Sequence, residues 1–329
     1  MKDKIKKFLK ENYKFIIVLT ILVLLMYIRL PYYAMAPGGT IDITDRVVMD
    51  NYTSESKGSI NMLYVSEYEI TPLTYVIAKL SSWQIEKEQT RKISNETIEE
   101  INERDKIMRD NSLDIATMVA YQNASKKIEI KDKKNIIIAT TRDNGLKIGD
   151  IIVKVDNIKC NDIKEIQNII SKKAIGDEIK FTIIRNNKEK EITTKVSKEG
   201  NTKVVGVIII TEYEYDTDPQ IDIKFKNTER GASGGLMLTL TIYNAISDED
   251  IIKGRNIAGT GTISADGSVG EIDGIKYKIM GAAKNKMDIV FVPSANYEEA
   301  IKTKEKYNYK LNIIKVDNFS EAIKYLKNN

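Results

Sequence analysis

The chain has 329 residues, is 42% hydrophobic and 30% charged, and carries a formal net charge of +4, so it can build ordinary cores in more than one domain. It contains no histidine and a single cysteine, Cys160, which excludes a Ser-His-Asp triad, a His-bearing zinc helix, a thiolate metal cage and an internal disulfide. The charge is uneven: residues 1–14 hold six lysines against Asp3 and Glu11, and the remainder is neutral, a distribution that favours a membrane over nucleic acid as partner.

After the lysines comes FIIVLTILVLLMYI, Phe15 to Ile28, without a charge. Alone it is short of the ~20 residues that cross a bilayer. Lys14 and Arg29 can snorkel, and Tyr32 and Tyr33 suit an interface, so a transmembrane anchor is expected over 15–34. Ala34-Met35-Ala36 resembles a signal-peptidase site, but Pro37 would follow the scissile bond and obstruct it. Lysines before the segment put the N-terminus in the cytoplasm and the bulk of the chain outside. Residues 38–57 read as a strand and a polar loop. Ser54 and Lys57 form S-x-x-K there by chance, since the S-D-N and K-T-G companions are missing.

SINMLYVSEYEI (59–70) has the β-branched and aromatic content of a strand. Pro72 precedes a helix, LTYVIAKLSSW, and SLDIATMVAYQNA (112–124) is a second helical pattern. From about 130 the texture changes to short strands and tight turns, with one helix, DIKEIQNIISKK, and a hairpin turn at Asn186-Asn187-Lys188. The run NGLKIGDIIVKVDN (144–157) resembles the core of a PDZ domain. That resemblance covers 130–197 and implies a groove that accepts a peptide as an added strand. After 203, strands and helices alternate, as in a layered α/β domain.

Gly231-Ala232-Ser233-Gly234-Gly235 fits G-x-S-x-G, the turn that presents a nucleophilic serine. Without histidine, its proton must go to lysine, a carboxylate or tyrosine. Glu229 is near, but a carboxylate of pKa about 4 is a weak base for a hydroxyl. A buried lysine is a better one, because desolvation lowers its pKa. GEIDGIKYKIMGAAKNK offers Lys276 and Lys278, and on a helical wheel Lys276 lies nearer the apolar stripe.

The stretch RGASGGLMLTLTIYNAI, followed by IAGTGTISADGSVGEIDGIKYKIMGAAKNKMDIVFVP, resembles the proteolytic domain of Lon-type peptidases. In that family's register Ser233 is the nucleophile, Lys278 the base, and Thr260 the hydroxyl that holds the lysine amine. Ala232 and Gly234 stand where the family usually has proline and alanine, Asp273 replaces a glycine, and Arg230 occupies an often acidic position. The resemblance implies an α/β (α+β) Lon-type proteolytic domain with an inserted β-rich PDZ-like domain, preceded by one transmembrane helix. The expected division is a basic cytoplasmic tail (1–14), an anchor (15–34), a juxtamembrane segment (35–57), the first part of the protease domain (58–125), the PDZ-like domain (126–202) and the catalytic domain (203–329). It further implies an ATP-independent endopeptidase acting on exported peptides or proteins, with no cofactor and no metal, assembled as a ring-shaped homo-oligomer such as a hexamer. The rival reading is an inactive membrane-anchored PDZ adaptor. No phosphate loop of the form G-x-x-x-x-G-K-[ST] occurs in the chain.

Overall fold

The structure is a computed structural model that describes residues 2–49, 57–94, 96–226 and 228–329; Ser54 of the chance S-x-x-K lies outside them. The chain divides into two compact units, residues 1–38 with 65–91, and residues 39–64 with 92–329.

In the first unit, helix α1 runs Lys2–Tyr27. Its uncharged stretch, Phe15 to Tyr27, is about 20 Å long at ~1.5 Å per residue, against ~30 Å of hydrocarbon in a bilayer. No helix among the described residues is long and apolar enough to cross a membrane. The expected anchor over 15–34 is therefore corrected. Pro31 disfavours helix at the residue before it, and strand β1, Tyr32–Asp42, has already begun at Tyr32. Helix α2, Pro72–Leu80, starts at a capping box in which Thr71 and Thr74 exchange side-chain-to-backbone hydrogen bonds. Ala34, Ile70 and Ala78 form a small core with Tyr75 and Trp83.

In the second unit, a parallel sheet is assembled from distant segments. The first part of β2, Ser59–Glu69, pairs with β9, Asn256–Gly259, in the register Ser59 to Asn256 through Met62 to Gly259. Strand β9 pairs with β10, Ile289–Pro293, and β10 with β11, Asn312–Val316. β10 is buried along its whole length, as a central parallel strand covered on both faces must be. Around this sheet pack α3 (Ile98–Asn123), α5 (Gly235–Ile246), α6 (Ile275–Lys284), α7 (Ser294–Lys306) and α8 (Phe319–Asn328). α5 is buried on nearly every side, which explains its almost continuous apolar sequence. α3 is much longer than the helix expected at 112–124. A capping box between Thr97 and Glu100 starts it early, so its charged first half is helical too.

Between α3 and α5 the chain forms an antiparallel sheet in the order β8-β4-β5-β6-β7. These strands are β4 Lys127–Thr140, β5 Ile151–Val155, β6 Glu178–Arg185, β7 Lys188–Lys195 and β8 Val207–Asp218, with α4 at Ile163–Lys172. The β6–β7 hairpin turns at Asn186 and Asn187, both left-handed with φ of 52° and 59°, the pattern of a type I′ turn. Ile137, Val155, Ile166 and Phe181 are at the centre of this sheet's own core. The apolar run KVVGVIII (203–210) is split: residues 202–204 pair with 197–199, and β8 begins at Val207 and continues to Asp218 alongside β4.

Candidate active site

The segment Glu229–Gly235 is held in place before it reaches α5. Gly231 adopts φ of 83° and donates its N–H to the Asp105 carbonyl at 2.9 Å. Gly235 opens the helix in a tight seat: a Cβ there would lie 2.7 Å from Ile263 Cγ2 and 2.8 Å from Ser112 Oγ. Only glycine lets the helix start so close to its neighbours.

Ser233 is half-buried, and its carbonyl is fixed from the facing strand. It accepts hydrogen bonds from Gly261 N–H at 2.8 Å and from Thr260 Oγ1 at 3.0 Å. Thr260 is fully buried and follows directly on β9, with its N–H on the Phe291 carbonyl. The Thr260 hydroxyl also accepts from Lys278 Nζ at 3.0 Å. Lys278 sits in the first turn of α6, which begins after Gly274 in a left-handed conformation (φ 70°). Its side chain is only 3% exposed. Burial pushes the amine down from 10.5 to about 8, against the opposing charge of Asp273. Ser233, Thr260 and Lys278 are thus brought together. The hydrogen-bonded chain runs from the amine through the threonine hydroxyl to the serine main chain.

Lys276, which the helical wheel favoured, and Lys278 have different surroundings. Lys276 is half-exposed and lies over the Tyr277 ring at 4.7 Å, while Lys278 points into the core. The other neighbouring candidate base, Glu229, is occupied. It bonds Arg46 at 2.6 Å and accepts the Lys226 N–H at 3.0 Å. Burial works to raise its carboxyl, but the Arg46 and Lys226 bonds prevail and hold it below the ordinary range. Cys160 is buried and unpaired, its thiol pushed up by burial. No cluster of titratable side chains among the described residues is arranged to hold a metal ion.

Two family models and several curated proteins resemble parts of the chain. Residues 127–196 match the PDZ domain, and residues 221–328 match the Lon protease (S16) C-terminal proteolytic domain. Two separate segments of the chain thus match a PDZ domain and a Lon-type proteolytic domain. It is 32% identical over 96 residues to a Lon protease of Mesomycoplasma hyopneumoniae, covering 29% of this chain and 11% of that protein. It is 23% identical over 236 residues to a Lon protease of Campylobacter jejuni, covering 62% of this chain and 29% of that protein. A Serine protease Do-like HtrA of Lactobacillus helveticus is 36% identical over 81 residues, covering 23% of this chain and 19% of that protein. The chain therefore spans less than a third of the length of each of these relatives.

Sequence reasoning missed the contribution of α3. Arg109 donates to the Glu229 carbonyl at 3.0 Å, and Ser112 Oγ to the Ala232 carbonyl at 3.3 Å. Both sit in a helix that, in sequence, shows only a charged surface and an apolar stripe. The segment that leads into Ser233 is thus braced by residues more than a hundred positions upstream.

Proposed function

We propose that the protein is an ATP-independent serine endopeptidase with Ser233 as nucleophile, Lys278 as base and Thr260 as the group that orients the lysine. The observation that carries the reading is the buried, desolvated amine of Lys278 bonded to Thr260 Oγ1, which is itself bonded to Ser233. Neutral Lys278 removes the hydroxyl proton as Ser233 Oγ attacks a peptide carbonyl, forming a tetrahedral oxyanion. The N–H groups of Ser233 and Gly234, at the positive end of α5, stabilise that charge. The lysine ammonium then protonates the departing amine. Water hydrolyses the resulting ester, with the lysine as base a second time.

The PDZ domain recruits or gates peptide or protein substrates by taking a segment as an added strand. We place the protein at a membrane surface, which the exposed apolar side chains of α1 and the lysines before them would bind without crossing it, with the catalytic part outside the cytoplasm. Fractionation and protease digestion of intact cells test that location. Assembly as a homo-oligomeric ring belongs to the same reading, and light scattering of the purified chain tests it.

Cleavage of casein without ATP tests the chemistry. Wild type and Lys276→Ala should cut, while Ser233→Ala and Lys278→Ala should be silent. A wild type as inert as Ser233→Ala on casein and on a broad peptide library would replace this reading with that of an inactive PDZ adaptor.

A further inference from the structure

Helix α3 touches two parts of the molecule at once. Along one face it grips the segment before Ser233. Asn102 accepts a hydrogen bond from Arg230, the Asp105 carbonyl from Gly231 N–H, while Arg109 and Ser112 donate to the carbonyls of Glu229 and Ala232. These positions recur at intervals of three or four, the spacing of a single helix face.

A second set of α3 residues meets the PDZ domain. Ile107 and Met108 pack against Ile136 and Ile138 of β4 and Ile210 of β8. Asn111 Nδ2 donates to the Thr211 carbonyl at 2.6 Å. The Asp114 carboxylate accepts from Tyr213 N–H at 3.1 Å and from Tyr215 OH at 3.4 Å. At about 100° per residue, Asn111 and Asp114 fall opposite the face that carries Asn102, Asp105, Arg109 and Ser112. A regular helix therefore separates the PDZ sheet from the nucleophile segment, with hydrogen bonds on both sides.

We infer that Asn111 and Asp114 are positioning residues: through α3 they fix the Ser233 segment against strand β8, which pairs along its length with β4 of the PDZ-matching segment. The inference rests on the peptidase reading for its effect on turnover. The bonds go to the backbone of β8 at Thr211 and Tyr213, so the position of that strand, and not a side-chain identity on it, sets the position of α3. A peptide joining β8 ahead of Thr211 would shift the same strand and be felt at Ser233. Neither residue touches the reacting atoms. Their loss acts on turnover and leaves substrate affinity unchanged.

The test uses the full chain and the variant Asn111→Ala/Asp114→Ala. The control is Asn123→Ala, in the last turn of the same helix, where Nδ2 only caps the Val119 carbonyl. Casein turnover and fluorophosphonate labelling of Ser233 should both fall about ten-fold in the double variant, with KM unchanged. Hydrogen exchange of residues 229–235 should speed up while the melting temperature stays near that of the control. Asp114→Asn alone should retain most activity, because its amide oxygen still accepts from Tyr213 N–H. Wild-type labelling and wild-type exchange in the double variant would overturn the inference. So would a loss that only tracks unfolded protein. If wild type neither labels nor cuts, the peptidase reading fails, and exchange at 229–235 still decides the role of Asn111 and Asp114.

Discussion

Replacing Lys278 by methionine should abolish activity and stabilise the protein. The amine is 3% exposed and its pKa falls from 10.5 to about 8 on burial. At 1.36 kcal/mol per unit, holding it protonated in the fold at pH 7 costs about 3 kcal/mol. Methionine has a similar length and flexibility and no charge to desolvate. The substitution loses the hydrogen bond to Thr260, worth about 1 kcal/mol, while the Thr260 hydroxyl keeps its bond to the Ser233 carbonyl. The net gain is about 2 kcal/mol at pH 7, or roughly 4 °C in melting temperature.

The pH dependence carries the sign. Because the folded pKa is depressed, the penalty is full below about 8 and disappears as pH rises towards the unfolded value of 10.5. Thermal melts of wild type and Lys278→Met at pH 7 and pH 10 make the comparison. The methionine variant should melt higher at pH 7, and its advantage should shrink to under about 1 kcal/mol at pH 10. An equal melting temperature at pH 7, or a gap that does not close at pH 10, would refute the buried, easily neutralised amine.

Three further outcomes follow from the same geometry. Thr260→Val keeps the side-chain shape but removes the hydroxyl between Lys278 and Ser233; kcat should fall roughly a hundred-fold with KM nearly constant, and Thr260→Ser should restore part of it. Gly235→Ala drives a methyl into Ser112 Oγ and Ile263, so denaturant titration should show a loss of about 1–3 kcal/mol. Asp114 is raised from 3.8 to about 6 by burial, which outweighs its bonds to Tyr213 and Tyr215, with Asp110 adding to the rise. The folded state then holds a proton that the unfolded chain releases, so this group's contribution makes stability decline as pH rises from about 4 to 6. That part of the slope should vanish in Asp114→Asn melts.

Local features with a strong conformational demand were readable in the sequence. The Asn186-Asn187 turn is one, because two consecutive left-handed residues have few alternatives to asparagine and glycine. The family pattern pointed to Lys278, where helical periodicity favoured Lys276. The structure buries Lys278 and leaves Lys276 half-exposed, because the core lies against the first turn of α6 on the side of Lys278, and a wheel drawn without the helix's surroundings cannot know that. The pairing of 59–62 with 256–259 joins strands nearly two hundred residues apart, and neither strand's sequence names its partner. The role of α3 was hidden for a similar reason. Arg109 and Ser112 act through backbone carbonyls, which leave no mark on the sequence they bind. The anchor expected over 15–34 assumed that Tyr32 to Ala34 extend the apolar helix, yet that apolar, aromatic content equally suits strand β1.

The most direct test of the central claim is the site and pH dependence of covalent labelling by a fluorophosphonate, followed by mass spectrometry of the digested full chain. The label should sit on Ser233, form at a rate that rises with pH through an apparent pKa of about 8, and be absent in Lys278→Met. Labelling of a different residue, or a Ser233 rate indifferent to pH and to Lys278, would contradict the Ser-Lys account.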